Sequence, residues 1–370
     1  MFKWVQSGLS AVAGLAEPEY GADAIRPVTD IPEGEPVYRE TDAKDFLWQG
    51  LNYTNVETQT FYFTCLKTGF TGFAQIIHSN VMGVHTTAQF TFRLCNFKDG
   101  KNINLWTSTK LEDFEIKGNN FYAKNLSFEL VGENKYILKS SVTEESIVEF
   151  EVEKLVPGVI FGKNGETLYG EDLENPWGSM RHVFWPRCSV KGTIKTKEGD
   201  YEIDGLTMFV MALQGMKPHH AAKSWNFLNF QSENYSAVQM EFTTPKSYAN
   251  TKVNIGIVCS KDKILCASIN NNVVHKDSVV DEVGWPVPKA ISFHHDDDKF
   301  HGEVSGNLDR LVERVDVMAE IPQFVKNIVS GVAGAKPYIY QYLEDFEIKF
   351  DDVSEKGVAY TEVTFITEFD

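Results

Sequence analysis

The sequence predicts an all-β protein built as two tandem antiparallel β-barrel domains behind an N-terminal amphipathic helix. Three observations carry this reading. From residue 55 the apolar positions recur with period two, in short runs broken by Gly, Asn, Asp and Lys, and a second such series begins near 235. The 370 residues suit two domains at about 100–200 residues each. Residues 2–16, by contrast, repeat their apolar side chains at helical spacing.

At about 100° per residue, Phe2, Val5, Leu9, Val12 and Ala16 share one stripe, flanked by Trp4, Gly8, Ala11 and Leu15. The opposite face, with Lys3, Gln6, Ser7, Ser10 and Gly14, is nearly uncharged. A broad apolar face opposite Ser and Gly suits a helix that reads lipid packing defects, not anionic head groups. Phe2, Trp4, Val5, Leu9, Val12 and Leu15 are therefore the expected membrane-binding residues. Ordering the segment consumes much of what burial returns, so the attachment is expected to be weak and reversible. Two alternatives stay open: a helix docked on the protein's own core, and a signal peptide, under which Asn52, Asn125 and Asn234 would be glycosylation acceptors.

Residues 19–45 read as an acidic tether. Over 17–45, nine acidic residues face three basic ones, and Pro18, Pro27, Pro32 and Pro36 forbid long regular structure. Strands are then expected at 57–66, 71–78, 86–94, 103–109, 121–130, 134–140, 145–153, 183–196 and 200–205. The second series covers 235–243, 251–259, 263–269, 289–294, 309–319, 337–350 and 357–369, with one short helix after Pro322 and a connector at 214–233. Many short strands with little helix between them indicate antiparallel sandwiches or barrels, and domains at 46–217 and 218–370 are each the size of an eight-stranded calyx. Leu-Glu-Asp-Phe-Glu-Ile-Lys occurs at 111–117 and again at 343–349, read as two strands of similar alternation.

Composition excludes several functions. With 35 Lys plus Arg against 52 Asp plus Glu, and a net charge of -17, nucleic acid is a poor partner. Five scattered cysteines without a C-x-x-C pair spell neither a disulfide framework nor a zinc ribbon. The longest strongly apolar run, Leu206 to Leu213, is far short of the roughly 20 residues of a membrane span. Nucleotide, hydrolase and metalloprotease motifs are missing, so no cofactor, metal or catalytic residue is assigned. The cluster His294, His295, Asp296, Asp297, Asp298 and His301 carries metal-ligand chemistry but equally suits a polar hairpin.

Aromatics, 13% of the chain, are the remaining signal. Phe61, Phe63, Phe90 and Phe92 alternate on strand faces, Trp106 follows, and Phe184 and Trp185 lie in Arg181-His182-Val183-Phe184-Trp185-Pro186-Arg187. These seven are the candidate lining of an apolar pocket, with Pro186 alternatively marking the start of a strand.

Long blocks then point to one family: Met-Phe-Lys-Trp-Val-Gln-Ser-Gly at the start, TNVETQTFYF (54–63), TGFAQIIHSNVMGVHTTAQFTF (71–92), HVFWPRCSVKGTI (182–194), HHAAKSWNFLNFQSENYS (219–236) and KPYIYQY (336–342). The chain resembles the fungal survival factor one family along almost its whole length. The resemblance implies tandem lipocalin-like (calycin) domains and a non-enzymatic carrier of ceramide. It further implies peripheral contact with endoplasmic reticulum and Golgi membranes, a cytoplasmic and also nuclear location, and a role in survival of oxidative stress. The Gly-x-Trp signature of secreted lipocalins is absent around Trp48. Two rivals remain open: a hydratase- or cyclase-like enzyme on a double calyx, using His182, Asp204 or Glu202, and a structural scaffold.

Overall fold

A computed structural model describes residues 19–50, 52–81, 85–96, 98, 103–216, 218–317 and 337–367. The membrane-binding helix expected at 2–16 and the helix expected after Pro322 lie outside them.

The first antiparallel sheet begins at the edge strand Asn104–Lys110. It passes through His85–Asn96, Phe70–Val81, Asn55–Thr64, Gly199–Gln214, Gly178–Thr196, Ile147–Lys154, Lys135–Ser140, Leu126–Val131 and Asn120–Ala123 to Glu115–Lys117. Its curl is visible in its contacts. Phe61 and Phe128 sit on strands separated by four others, yet their rings stack 5.2 Å apart. The sheet has rolled until one face meets itself, as barrel closure requires.

Period-two alternation then divides the side chains. Phe61, Phe63, Phe90, Phe92, Phe128, Tyr136, Phe150, Trp185 and Phe209 fill the interior. Met180, Phe184, Met208 and Val210 point outward into a second apolar layer. This explains the run Leu206 to Leu213: its strand is buried on both faces and so loses the alternation of a half-exposed strand.

The second sheet runs from Ile264–Ser268 through Lys252–Cys259, Ser236–Thr243, Ser224–Gln231, Val353–Phe365, Tyr338–Phe350, His301–Asn307 and Ala290–Asp296 to Asn272–Lys276. Its outward residues Phe227, Val238, Phe242, Ile255 and Tyr360 complete the layer shared with the first sheet. Tyr62 lies 5.1 Å from Phe227 and 5.4 Å from Tyr360, ring to ring. Arg93, fully buried, crosses between the halves to Glu313 Oε2 at 2.9 Å and the Val312 carbonyl at 2.6 Å.

Four expectations need correction. Residues 19–45 do not form a free tether: Ile25–Arg26 pairs with Glu166–Tyr169, Tyr38–Glu40 pairs with Val159–Phe161, and Ala24, Ile25 and Val28 are buried. Short strands and 3-10 turns fit between the prolines, and the acidic side chains other than Asp45 remain outside. The connector at 214–233 is too long, because Ser224–Gln231 is a central strand; a single helical turn, Pro218–Ala221, joins the halves. Pro186 does not start a strand. It sits within the 19-residue strand Gly178–Thr196, where the missing N–H coincides with a register shift between Trp185 and Cys188. The two copies of the heptapeptide also differ: 343–349 is wholly strand, whereas 111–117 is a turn through Asp113 (φ 53°) followed by the short strand Glu115–Lys117.

Candidate functional site

The bulge at Pro186 organises the candidate site. Upstream of it Trp185 points into the first barrel; downstream Arg187 is turned toward the second half. There its guanidinium donates to the carbonyls of Ser232 (3.2 Å) and Glu233 (2.7 Å) and to Ser236 Oγ (2.7 Å).

Inside the barrel, Trp185 lies 5.2 Å from Tyr136 and 5.3 Å from Phe209, and Phe209 lies 4.8 Å from both Phe61 and Tyr136. Phe63 stacks with Phe92 at 6.1 Å and meets Phe150 edge-on at 5.2 Å. Offset and edge-to-face geometry at these distances is the favourable packing of aromatic rings. Two polar atoms in this apolar interior, Tyr136 Oη and Trp185 Nε1, are buried without a hydrogen-bond partner. Burial pushes the Tyr136 hydroxyl far up, so it stays protonated and can donate.

A strap crosses one mouth of the barrel. Asp42 caps the 3-10 turn Ala43–Phe46 by accepting from Lys44 N, and Asp45 returns the bond to Asp42 N. Arg39 grips Asp45 with two hydrogen bonds of 2.8 and 2.6 Å. Burial pushes the Asp45 carboxyl up, but Arg39 and the Asp42 N–H outweigh it and hold the group below its usual range. Gln59 Nε2 donates to the Phe46 carbonyl (2.9 Å), and Asn119 Nδ2 to that of Ala43 (2.7 Å). Glu57 accepts from the Gln49 and Gly50 N–H groups at 2.6 and 3.0 Å; burial nonetheless raises its carboxyl. So anchored, the strap inserts Phe46 against Phe209 (5.2 Å) and Trp185 (5.5 Å), and Trp48 against Phe121 (4.5 Å).

Beside Trp48 a cleft of about 500 Å³ opens to solvent, lined by His78, Thr86, Thr87, Ala88, Lys110, Leu111, Phe114, Glu115 and Ile116. Trp48 faces its His78 and Phe114 at 5.8 and 6.2 Å. His78 Nδ1 and Trp48 Nε1 are likewise buried without partners, and burial lowers the His78 pKa, keeping the ring neutral. An apolar interior, a cleft at its mouth and a few neutral hydrogen-bonding groups can hold an alkyl chain with an uncharged polar end.

Of the seven residues expected to line a pocket, Phe61, Phe63, Phe90, Phe92 and Trp185 meet in this interior. Phe184 points into the layer between the halves, and Trp106 is 40% exposed, packed on Phe73 and under the Arg93 guanidinium. Phe46, Trp48, Phe121, Phe128, Tyr136, Phe150 and Phe209 belong with the five. The strand expected at 121–130 holds Phe121 and Phe128, but seven residues apart a single period-two strand would set them on opposite faces, and the turn between Asn120–Ala123 and Leu126–Val131 is what brings both inside; nothing local marks Phe46 or Trp48. Phe2, Trp4, Val5, Leu9, Val12 and Leu15 are outside the described residues.

The rival catalytic trio is not assembled. Burial and the neighbouring Arg181 lower His182 to about 4, whereas Glu202 and Asp204 are exposed near the far end of the hairpin, paired with Thr193 and Lys191. The His-Asp cluster divides. His295 turns into the second barrel, Asp297 caps the turn by accepting from Lys299 and Phe300 N, and His301 Nδ1 lies 2.9 Å from Asp296 Oδ1 at the surface. Among the described residues no group of three or more His, Cys, Asp or Glu is placed to hold a metal.

The second interior carries polar groups, as the first does around Asn55, Glu57, Gln59 and Arg181. Asn254 Nδ2 donates to Glu241 Oε2 (2.8 Å), Gln239 Nε2 to Asn254 Oδ1 (3.1 Å), and His275 Nε2 lies 2.7 Å from Asn226 Oδ1, giving a buried polar seam.

Comparison with known proteins follows this geometry. Two solved structures share the fold: a putative AttH from Nitrosomonas europaea (TM-score 0.58, 10% identity, 88% of this chain and 96% of that one) and kievitone hydratase from Nectria haematococca (0.56, 13%, 91% and 98%). The tandem lipocalin-like, all-β class is thus the one observed. Proteins named Ceramide-binding protein SVF1 are similar end to end: from Debaryomyces hansenii at 68% identity over 376 residues and from Candida albicans at 68% over 384, with 100% of each chain covered. The Neurospora crassa protein named Ceramide-binding protein svf-1 is 45% identical over 383 residues, spanning 99% of this chain and 100% of its own. The profile of the Svf1 family matches residues 2–367, and the chain belongs to that family.

Proposed function

We propose that the protein is a ceramide carrier that docks reversibly on endoplasmic reticulum and Golgi membranes through residues 2–16 and moves one ceramide through the cytoplasm without altering it. A nuclear pool and a contribution to survival of oxidative stress belong to the same reading. The observation that carries it is the aromatic interior of the first barrel with its neutral, unpartnered Tyr136 Oη and Trp185 Nε1. Ceramide has uncharged amide and hydroxyl groups and two alkyl chains, which matches a ring-lined apolar space holding a few hydrogen-bonding groups. The ceramide-binding relatives at up to 68% identity support ceramide as the ligand. Native mass spectrometry of the full-length protein after incubation with ceramide-containing vesicles tests it. One bound ceramide per chain, recovered chemically intact, is expected; a chain that stays unloaded, or a bound lipid converted to a product, refutes the carrier.

A further inference from the structure

We propose that the strap from Asp42 to Gly50 is a displaceable plug, and that the space held by Phe46 and Trp48 is the alkyl-chain site of the first barrel, its polar anchors being Tyr136 Oη and Trp185 Nε1. The identity of the polar end rests on the ceramide reading above; the chain site rests on geometry. Phe46 and Trp48 enter the barrel from a segment outside its main strand ladder, and the rings around them come from that ladder except Phe114, which lies in the turn before Glu115–Lys117. Aromatic side chains bury about 150–250 Å² each, so the pair covers roughly 300–500 Å² of apolar surface. One buried methylene corresponds to roughly 32 Å² of apolar surface. The two rings therefore stand in for roughly 9–16 methylenes, the length of one acyl chain.

The polar atoms agree with this placement. Trp185 meets Phe46 at 5.5 Å and Tyr136 at 5.2 Å, and both of its neighbouring polar atoms, Nε1 and the Tyr136 Oη, are buried without a partner while the strap is in place. Buried polar atoms ordinarily find one. A chain entering with an amide or hydroxyl would supply it. The latch is suited to release, because Arg39 is 37% exposed and its pair with Asp45 is open to competition from solvent. The cleft beside Trp48 supplies the approach.

The test staples the strap. Asn119 Nδ2 donates to the Ala43 carbonyl at 2.7 Å, so Ala43→Cys with Asn119→Cys puts two thiols on facing segments, which oxidation or a short bis-methanethiosulfonate linker joins, while the five native cysteines are buried. Uptake of pyrene-labelled ceramide from unsaturated phosphatidylcholine vesicles is measured before and after oxidation. The oxidised protein is expected to load at least tenfold more slowly and to recover with dithiothreitol; loading within twofold of the reduced protein overturns the plug. If thiol titration shows the staple open, Phe46→Ala decides, with at least threefold faster uptake expected and an unchanged or slower rate overturning the proposal. If the reduced protein takes up no ceramide, the ligand reading fails by itself. The staple is then read with 1-pyrenedodecanoic acid, where equal uptake in both redox states, or none, overturns the plug as well.

Discussion

Glu362 offers a quantitative check on the layer between the two halves. Its carboxylate accepts from Gln341 Nε2 at 2.8 Å, beside the buried rings of Tyr62 and Tyr360. Burial lifts its pKa from 4.5 to about 7. In the unfolded chain the group ionises near the lower value, so between the two the native state holds more protons. Stability from this group is therefore greatest at acid pH, falls as pH rises through that window, and is flat above it. At about 1.4 kcal/mol per pH unit the full cost would be ~3 kcal/mol. Glu362 keeps partial exposure, and solvent screening reduces this to roughly 1.5 kcal/mol. Glu362→Gln keeps an acceptor for Gln341 and removes the charge. Urea unfolding of both proteins at pH 5, 6, 7 and 8 should show the variant nearly equal to wild type at pH 5 and about 1–2 kcal/mol more stable at pH 8. A difference that does not vary with pH, or a variant that loses ground as pH rises, would refute the argument.

Within the first barrel, Phe209→Ala should cost about 3–5 kcal/mol because it removes the ring that joins Phe46, Phe61, Tyr136 and Trp185; Trp106→Ala, at a 40% exposed site, should cost less than half as much in the same thermal melts. Arg187→Ala leaves the Ser232 and Glu233 carbonyls without their buried donor and should cost about 2–4 kcal/mol; unfolding midpoints within error of wild type would remove Arg187 as the tie between the halves. Burial lowers His275 to about 4 and His295 to about 3, so both stay neutral in the fold while the unfolded chain takes up protons below 6.5. Stability should therefore drop as pH falls from 6.5 toward 4, and His295→Gln should flatten that slope in acid titrations followed by circular dichroism. Leu9→Glu places a charge on the expected apolar stripe and should reduce co-sedimentation with small unsaturated vesicles several-fold, with unchanged sedimentation counting against residues 2–16 as the anchor.

Half-buried strands were legible because alternation is a local property: 135–140 lies within a residue of expectation and 147–154 within two, with burial alternating along each. The misses have non-local causes. Ser224–Gln231 is buried on both faces along most of its length, with Leu228 and Phe230 inside the second barrel and Phe227 in the shared layer, so its pattern resembles no half-exposed strand. Leu-Glu-Asp-Phe-Glu-Ile-Lys takes two conformations because only the second copy has strand neighbours on both sides of its ladder. In the candidate site, sequence periodicity placed Phe61, Phe63, Phe90 and Phe92 on one face, since all four obey their own strands. Alternation puts the adjacent Phe184 and Trp185 on opposite faces, but not which of those faces turns into the barrel and which meets the second half. Phe46 and Trp48 were hidden for a different reason: they lie beside a proline-rich acidic stretch whose composition describes its solvent side and not the barrel mouth it covers.

The two interiors also bear on which barrel takes the chain. A chain laid in the second would meet Asn226, Gln239, Glu241 and Asn254, all at most 8% exposed, and would break or strand their hydrogen bonds. Each buried polar group left unsatisfied costs about 1–3 kcal/mol, so disturbing three of them offsets the burial of several methylenes at ~0.8 kcal/mol each. In the first barrel the same chain would displace Phe46 and Trp48, exchanging one apolar contact for another and satisfying Tyr136 and Trp185, while releasing the strap groups held at the mouth by Gln59, Asn119 and Glu57. The prediction is asymmetric. Tyr136→Phe should slow ceramide loading while leaving the barrel folded, because it deletes a hydroxyl that has no partner in the unloaded protein. Gln239→Leu should leave loading unchanged and act on stability alone, through the Asn254 contact it removes. Vesicle-extraction rates and thermal melts on the same two variants separate these effects, and a loading defect in Gln239→Leu with none in Tyr136→Phe would move the lipid to the second barrel.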